Sequence, residues 1–235
     1  MDLIKRLHPQ DTDKRLIRIG GNQDGGYLIP DDLEGIEACF SPGVGDKSTF
    51  EFECAERGMK IFMADASVEK PGIDHPQFSF QKKYVGASRK KDFITLKDWM
   101  ESVEIRSDSD LLLQMDIEGF EYEVLNATPD SHLSRFRVIV VEFHGMTNVG
   151  LPYFFQRYSK AFEKLLAHHT CVHIHPNNCC GVELVLGLEI PAVAEFTFLR
   201  TDRILHEKPV DLFPNPLDVD CVETKSIKLP EVWYR

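Results

Sequence analysis

Short hydrophobic runs alternate with helical patterns along most of the chain, from residue 37 to residue 200. Such an alternation predicts an α/β fold, in which helices cover a mostly parallel sheet. Two of the runs, DLLLQMD and RVIVVEF, are almost continuously apolar, as expected of central strands that are buried on both faces. The runs predicted to form strands are EACFSP, KIFMAD, SFQKKYV, DLLLQMD, RVIVVEF, TCVHIHP and AEFTFLR.

Helical patterns fill the segments between these strands. The clearest is LPYFFQRYSKAFEKLLAHH, whose aromatic and leucine side chains recur at helical spacing and are expected in the core. The segment KSTFEFECAER is predicted to form a helix that ends at Gly58, a residue type favoured just past a helix C-terminus. Further helices are predicted from TLKDWMESV, with Thr95 as its cap, and from EGFEYEVLNAT, which stops before Pro129.

No repeat and no linker divides the chain, so we expect a single domain over residues 1–235. Its core is predicted at 37–200, preceded by an N-terminal arm at 1–36 and followed by a C-terminal extension at 201–235. Both terminal segments mix apolar residues with turn residues. Segments of this kind commonly cover the carboxyl edge of a sheet, where ligands bind, and the extension is therefore expected to cap the site.

The charge of the chain limits its partners. A formal net charge of −11 argues against binding to nucleic acids or to an anionic membrane surface, because both would be repelled. The basic segment QKKYVGASRKK is interpreted as a solvated loop. No stretch resembles a signal peptide or a membrane span, and six cysteines are too few to suggest a disulfide scaffold. A cytoplasmic protein is expected, unless a targeting segment has been removed.

The stretch SPGVGDKST superficially resembles a nucleotide-binding phosphate loop. When it is aligned on Lys47 and Ser48, however, Ser41 and Asp46 occupy the two positions at which the loop requires glycine. A carboxylate beside the phosphate cradle would repel the anion, so this interpretation is disfavoured. The dinucleotide fingerprint is incomplete as well, because Ser48 stands at its third glycine position.

A looser glycine turn between a strand and a helix remains, and it predicts a nucleoside ligand without phosphates. Gly43 and Gly45 would let the backbone approach such a ligand. Asp65 ends the next strand, about 20 residues later, where an acidic side chain typically binds ribose hydroxyls. S-adenosylmethionine is the common cofactor that carries a carboxylate in place of phosphates. The alternative is that Asp65 is only a turn residue at the end of a strand.

The segment LLLQMDIEGFEYEVL resembles the motif of FkbM-type methyltransferases. SPGVGDKSTFEFECAERG is similar to the family's glycine turn and following helix, and DGGYLIPDDL, HIHPNN and FPNPLD are similar to the extensions of a subgroup, so the likeness covers most of the chain. The motif Asp-x-Glu-Gly-x-Glu-x-x-Val-Leu corresponds to Asp116, Glu118, Gly119, Glu121, Val124 and Leu125.

This resemblance implies a Rossmann-like class I methyltransferase fold, with a seven-stranded, mostly parallel sheet and helices on both faces. It also implies that S-adenosylmethionine donates a methyl group, usually to an oxygen. Members of the family act on diverse acceptors, including sugars and natural products, so the resemblance does not name the substrate, and we expect a hydroxyl of a small molecule or a glycan. The segment DGGY is expected to close over the site. The residues that the resemblance places at the cofactor are Gly43, Gly45, Asp65 and Asp116, with Tyr27 and Asp24 as further candidates.

Methyl transfer to a hydroxyl needs alignment of the acceptor and removal of its proton. Asp116, Glu142 and His144 follow two strands that are expected to be neighbours, so their side chains are expected to converge. A neutral His144 could act as the base near neutral pH. The same three residues could instead bind a divalent metal ion, an alternative that is possible but not favoured because so few ligands are visible.

Three further alternatives stay open at this point. His173, His175, Cys179 and Cys180 offer zinc-binding side chains, although an adjacent cysteine pair is not a usual ligand spacing. The chain could also be a nucleotide-dependent oxidoreductase or an NTPase on a similar sheet. Finally, it could be a cofactor-binding protein without catalytic activity that serves as a partner for another protein.

Overall fold

The computed structural model describes residues 2–22 and 24–235. Its centre is a seven-stranded sheet in the order β6-β7-β5-β4-β1-β2-β3. All neighbouring strands are parallel except β7, which is antiparallel to both β5 and β6. The strands are β1 Ala38–Pro42, β2 Lys60–Ala64, β3 Phe78–Gln81, β4 Leu111–Met115, β5 Phe136–Phe143, β6 His169–Pro176 and β7 Ala194–Arg200. The predicted α/β fold with a mostly parallel sheet is confirmed.

Helices and short two-stranded ribbons surround this sheet. The helices are α1 Asp2–Arg6, α2 Thr49–Glu56, α3 Leu96–Ser102, α4 Glu121–Ala127, α5 Asp130–Leu133 and α6 Pro152–Leu166. The ribbons pair Gln10–Thr12 with Glu207–Pro209, Leu16–Ile19 with Tyr27–Pro30, Tyr84–Val85 with Phe93–Ile94, and Val182–Val185 with Leu188–Pro191. Single 3₁₀ turns lie at Met146–Gly150, Thr201–Arg203 and Glu231–Trp233.

The sheet separates two hydrophobic clusters, one on each face. Along β5, Ile139 and Val141 belong to one cluster, whereas Val138 and Val140 belong to the other. Successive side chains of a strand point to opposite faces, so a central strand covered on both sides must be apolar at every position. This requirement explains the continuous apolar run RVIVVEF.

The predicted helix ends agree with the structure. The Thr95 hydroxyl accepts a hydrogen bond from the Asp98 amide at 3.0 Å, which satisfies one of the free amides at the start of α3. Gly58 has a φ of +89°, a conformation that glycine adopts without strain, and it ends α2.

The strand predicted from SFQKKYV is shorter than expected. It leaves the edge of the sheet after Gln81, where the Lys83 amide donates to the Gln81 carbonyl at 2.8 Å and turns the chain. Tyr84–Val85 then pairs with Phe93–Ile94 in a separate ribbon. Two successive lysines are easily solvated, and they end the strand at an edge that faces water.

The C-terminal extension packs along the β6 edge of the sheet. Trp233 is fully buried and donates from its indole nitrogen to the Glu189 carbonyl at 3.0 Å. Closer to the site, the extension touches Asn177 and Asn178 through Cys221. That it caps the site stays a prediction. No helix in the described parts of the chain combines the length and the hydrophobicity that a membrane crossing requires.

Candidate active site

A cavity of about 480 Å³ opens at the carboxyl ends of β1, β2 and β4. It is bordered by the turn after β1, by the residues that follow β2 and β4, and by the N-terminal segment that contains DGGY. In open α/β sheets, the carboxyl edge is where ligands bind, and a cavity of this size is typical of small-molecule sites. The residues predicted to bind the cofactor therefore border one cavity, whereas Glu142 and His144 lie outside its lining.

The two glycines of the turn after β1 differ in the space that surrounds them. At Gly43, with φ +84°, a Cβ atom would lie 1.5 Å from the carbonyl oxygen of Asp116, so only glycine lets this turn pack against the end of β4. At Gly45, with φ +58°, a Cβ atom would meet nothing within 4 Å. Both border the cavity, so their predicted approach to a ligand stays a prediction, and packing is an additional reason for glycine at position 43.

Asp65 lies directly after β2 at the edge of the cavity and is 7% exposed. One of its carboxylate oxygens accepts from the Gly45 amide at 2.9 Å, and the other accepts from the amide and the hydroxyl of Ser67, both at 2.7 Å. These bonds fix the side chain beside the glycine turn. Since each carboxylate oxygen has two lone pairs, Asp65 can still accept a hydrogen bond from a ligand.

The N-terminal segment lies over the cavity. Tyr27 is buried against it, and its hydroxyl accepts from the Gln114 side-chain amide of β4 at 3.2 Å. Asp24 approaches Lys47 of the glycine turn at 3.4 Å, and both side chains border the cavity while remaining about half exposed. This ion pair connects the N-terminal segment to the glycine turn.

Asp116, Glu142 and His144 converge as the sequence predicted. His144 Nε2 lies 3.9 Å from Asp116 Oδ1 and 3.5 Å from Glu142 Oε1. The three side chains each offer a ligand atom within 4.8 Å of the others. Asp116 borders the cavity, and its Oδ1 atom is buried without a hydrogen-bond partner in the described residues. Glu142 is held by the side-chain amide of Asn177, which donates to it at 3.1 Å.

Two further carboxylates surround His144, and sequence reasoning gave neither a role. Glu121 is fully buried; its Oε1 atom lies 3.1 Å from His144 Nδ1 and accepts from the amides of Ile117 and Gly119. Glu118 adopts a left-handed φ of +55° and places its carboxylate 3.4 Å from His144 Nε2. Both belong to the motif Asp-x-Glu-Gly-x-Glu, so the spacing of its acidic residues was the available signal.

This crowding changes the proton affinities of the cluster. Burial and the charge of Glu142 raise the pKa of Asp116 well above its usual range, and burial raises the pKa of Glu142 to about 8. Burial alone would lower the pKa of His144, but the hydrogen bond to Glu121 and the surrounding carboxylates raise it to about 9. A pKa above neutral favours the protonated imidazolium, which argues against the expected neutral imidazole base; the role of His144 stays a prediction.

Three aromatic side chains, Tyr84, Phe93 and Phe120, line one side of the cavity. The sequence did not predict them as site residues. Tyr84 and Phe93 come from the ribbon that follows β3, and their ring centres are 5.3 Å apart. Phe120 stands 6.0 Å from Phe93 and is 44% exposed. Exposed aromatic rings at a cavity offer a stacking surface for a planar ligand.

The zinc alternative is not supported by the structure. His173 and His175 both face Asp218, at 2.7 Å and 3.5 Å, rather than the cysteine pair. Cys179 and Cys180 are bonded to each other in a disulfide. Within the described residues, the one group of three or more side chains that could hold a metal ion is Asp116, Glu142 and His144.

Comparison with known families gives one specific result. The model of the methyltransferase FkbM domain matches residues 33–168, more than half of the chain. This range includes the glycine turn, Asp65 and the Asp116 cluster. No curated protein is significantly similar to the chain in sequence.

Solved methyltransferases resemble the chain only weakly. A 1,6-didemethyltoxoflavin-N1-methyltransferase from Burkholderia thailandensis, solved with its substrate and S-adenosylhomocysteine, is 13% identical, with a TM-score of 0.33 and coverage of 72% of this chain and 73% of that one. A 16S rRNA (adenine(1408)-N(1))-methyltransferase from Catenulisporales acidiphilia is also 13% identical, with a TM-score of 0.32 and coverage of 79% and 97%. Likenesses of this strength assign no substrate.

Proposed function

The chain belongs to the FkbM methyltransferase family, and we propose that it transfers the methyl group of S-adenosylmethionine to a hydroxyl oxygen of a small molecule or glycan. The proposal rests on one observation above all: the glycine turn after β1 and Asp65 after β2 border the same cavity as Asp116 after β4. Family membership favours methyl transfer over the alternatives of a nucleotide-dependent oxidoreductase or an NTPase.

The cavity suits S-adenosylmethionine in its shape and its chemistry. Asp65 is fixed at the cavity edge with one lone pair of Oδ2 left for a ribose hydroxyl, and the open space beside Gly45 leaves room for the nucleoside. The aromatic rings of Tyr84, Phe93 and Phe120 offer a surface for adenine. Tyr27 and Asp24 would cover the ligand from the N-terminal side.

The acceptor hydroxyl must lose a proton as its oxygen bonds to the methyl carbon and the carbon–sulfur bond breaks. We assign the receipt of this proton to Asp116, because it is the member of the cluster that borders the cavity, with Glu142 and His144 behind it. A carboxylate whose pKa is raised is a stronger base than an ordinary one once it has lost its own proton.

A divalent metal ion at the same cluster is the second candidate. Two observations favour it: the ligand atoms of Asp116, Glu142 and His144 lie within 4.8 Å of one another, and Asp116 Oδ1 is buried without a hydrogen-bond partner in the described residues. Hard divalent ions prefer such oxygen ligands. When bound, the ion would lower the pKa of the acceptor hydroxyl.

Ligand-induced stabilisation tests the cofactor. We expect S-adenosylhomocysteine to raise the melting temperature, and we expect Asp65→Ala to remove most of the rise, because each charge-assisted ribose hydrogen bond contributes about 1.5–3 kcal/mol. Asp74→Ala, which changes an exposed aspartate, serves as the matched control. Stabilisation by ATP or NAD but not by S-adenosylhomocysteine would overturn the proposal. Cofactor binding without methyl transfer to any tested acceptor would favour a non-catalytic partner protein.

Chelation separates the two versions of the chemical step. If the carboxylates alone accept the proton, turnover should be unchanged after exhaustive treatment with EDTA. If a metal ion is required, EDTA should abolish turnover, and added magnesium or manganese should restore it. Full turnover in Asp116→Asn, Glu142→Ala and His144→Ala would exclude both versions and leave catalysis to positioning of the substrates.

A further inference from the structure

Glu51 is a buried carboxyl group that borders the cofactor cavity. It lies in the first turn of α2 and is only 3% exposed. Within the described residues, its one side-chain hydrogen bond is with Ser41, and no lysine, arginine or histidine forms an ion pair with it. A carboxylate withdrawn from water without a compensating cation is unfavourable. Glu51 must therefore be neutral in the empty cavity or have a cation supplied by a ligand.

The hydrogen bonds around Glu51 indicate a neutral acid in the empty cavity. The Ser41 hydroxyl contacts Glu51 Oε1 and also lies 2.6 Å from Gln114 Oε1. A hydroxyl has one hydrogen and can donate to only one of the two oxygens, so with the Gln114 amide in this orientation a protonated Glu51 carboxyl supplies the other hydrogen. The chain continues from Gln114 Nε2 to the Tyr27 hydroxyl at 3.2 Å. Consistent with this pattern, burial raises the pKa of Glu51 to about 7.

We propose that Glu51 binds the α-ammonium group in the methionine part of S-adenosylmethionine. This inference rests on the proposed function. When the cofactor enters, the Glu51 carboxyl releases its proton to solvent and the resulting carboxylate accepts hydrogen bonds from the ammonium group. The sulfonium has no N–H or O–H to donate, so the ammonium is the cationic group of the cofactor that suits a carboxylate.

The position of Glu51 agrees with this role. Glu51 is hydrogen-bonded to Ser41, which in turn contacts Gln114 on β4. Gln114 lies two residues before Asp116, beside which we propose that the methyl group reacts. Asp65 lies at the end of β2, which pairs with β1 on the side opposite β4. An extended cofactor with its ribose at Asp65 and its reacting sulfur near Asp116 would bring its methionine part to Glu51.

Binding calorimetry with two ligands tests the inference. The ligands are S-adenosylhomocysteine and its analogue that lacks only the α-amino group. We expect the wild-type protein to bind S-adenosylhomocysteine about 10–100-fold more tightly than the analogue, the range for a charge-assisted hydrogen bond. Glu51→Gln keeps the shape and a neutral hydrogen-bonding group, and it should bind both ligands with the affinity that the wild-type protein has for the analogue. Glu56→Gln, at the exposed end of the same helix, should behave as the wild type.

Three results would overturn the inference. The first is a Glu51→Gln variant that still prefers S-adenosylhomocysteine as the wild type does, and the second is an equal loss of affinity for both ligands, which indicates a purely structural role. The third needs no variant: equal affinities of the wild-type protein for the two ligands. If the wild-type protein binds neither ligand, the proposed function itself fails, a result that is distinct from these three.

Discussion

Strand β4 has an aspartate at each end, and the two residues have opposite environments. Asp110, at the amino end, accepts hydrogen bonds from Arg137 at 2.6 and 2.8 Å and from Arg200 at 2.6 Å. Asp116, at the carboxyl end, faces Glu142 and His144, and its Oδ1 atom has no hydrogen-bond partner in the described residues. Two aspartates at opposite ends of one strand thus belong to two different kinds of site.

The pKa values of the two aspartates separate accordingly. Burial would raise the pKa of Asp110, but hydrogen bonds from Arg200 and Arg137 outweigh it and lower the pKa below its ordinary value. Burial and the nearby Glu142 raise the pKa of Asp116 well above its ordinary value. Paired charges of the first kind stabilise a fold, whereas crowded carboxylates of the second kind are destabilising and are typical of functional sites.

The arginine cluster extends beyond Asp110. Arg203 binds both oxygens of Asp32 at 2.7 and 2.9 Å, and Arg137 donates to the backbone carbonyls of Asp32 and Glu34. These bonds attach the N-terminal arm and the residues after β7 to the amino edge of the sheet. The amino edge therefore contributes paired charges that hold the fold together, and the carboxyl edge is the one at which we propose that the chemistry takes place.

The largest expected effect comes from Asp116→Asn. Because this change removes the carboxylate nearest the cavity, turnover should fall about 10²–10⁴-fold, the usual range for loss of a general base. Because it also removes one of several crowded acids, the free energy of unfolding in urea should stay the same or increase. A variant that loses both turnover and about 2 kcal/mol or more of stability would contradict the contrast between the two edges.

Asp110→Asn should have the opposite pattern. It removes the nearer anionic partner of the buried Arg137 guanidinium and leaves it only the carboxylate of Asp32 at 3.9 Å, so we expect a loss of about 3 kcal/mol in the free energy of unfolding. The affinity for S-adenosylhomocysteine, measured by calorimetry well below the melting temperature, should be unchanged. Weaker cofactor binding with intact stability would show that the amino edge takes part in the function.

The pH dependence of stability should differ between the edges. Glu142 has a pKa of about 8 in the folded protein against an ordinary 4.5, so the folded state retains its proton longer and stability falls as pH rises through this window. The pKa of His144 is raised from an ordinary 6.5 to about 9 in the folded protein. Its protonated form therefore stabilises the fold fully below pH 6.5, and this contribution is lost as pH rises through 9. The pKa of Asp110 is lowered in the folded protein, so its carboxylate contributes full stability above the ordinary pKa of 3.8. This contribution is lost as pH falls below that value.

We therefore expect the free energy of unfolding, measured in metal-free buffer, to be highest near pH 5–6 and to fall by about 2 kcal/mol towards pH 9. Glu142→Gln does not titrate and should make this decline shallower. A stability that rises from pH 6 to pH 9, or a decline of equal slope in Glu142→Gln, would show that the acidic cluster does not determine the alkaline side of the profile.

The sequence predicted the fold well because the fold depends on features that are local or periodic. Seven apolar runs became the seven strands, and Thr95 and Gly58 mark helix ends as expected. The strand SFQKKYV was predicted too long because hydrophobicity alone does not show where an edge strand leaves a sheet. The convergence of Asp116, Glu142 and His144 was also predictable, since parallel neighbouring strands end at the same edge.

What the sequence did not reveal depends on contacts between distant segments. The pKa of His144 is raised by its hydrogen bond to Glu121 and by the nearby Asp116 and Glu142. The motif contains Glu121, but the sequence does not show where its side chain points. Gly43 is required because it packs against the Asp116 carbonyl, a contact between residues 73 positions apart. Likewise, Glu51 is recognisable as an unpaired acid only when its burial next to Ser41 is known.

A crystal structure of the complex with S-adenosylhomocysteine would test the central claim most directly. The proposal predicts the ligand in the cavity at the carboxyl edge, with its ribose hydroxyls bonded to Asp65 and its sulfur facing Asp116. The contradicting result is S-adenosylhomocysteine bound outside this cavity, or in it with its sulfur turned away from the cluster of Asp116, Glu142 and His144.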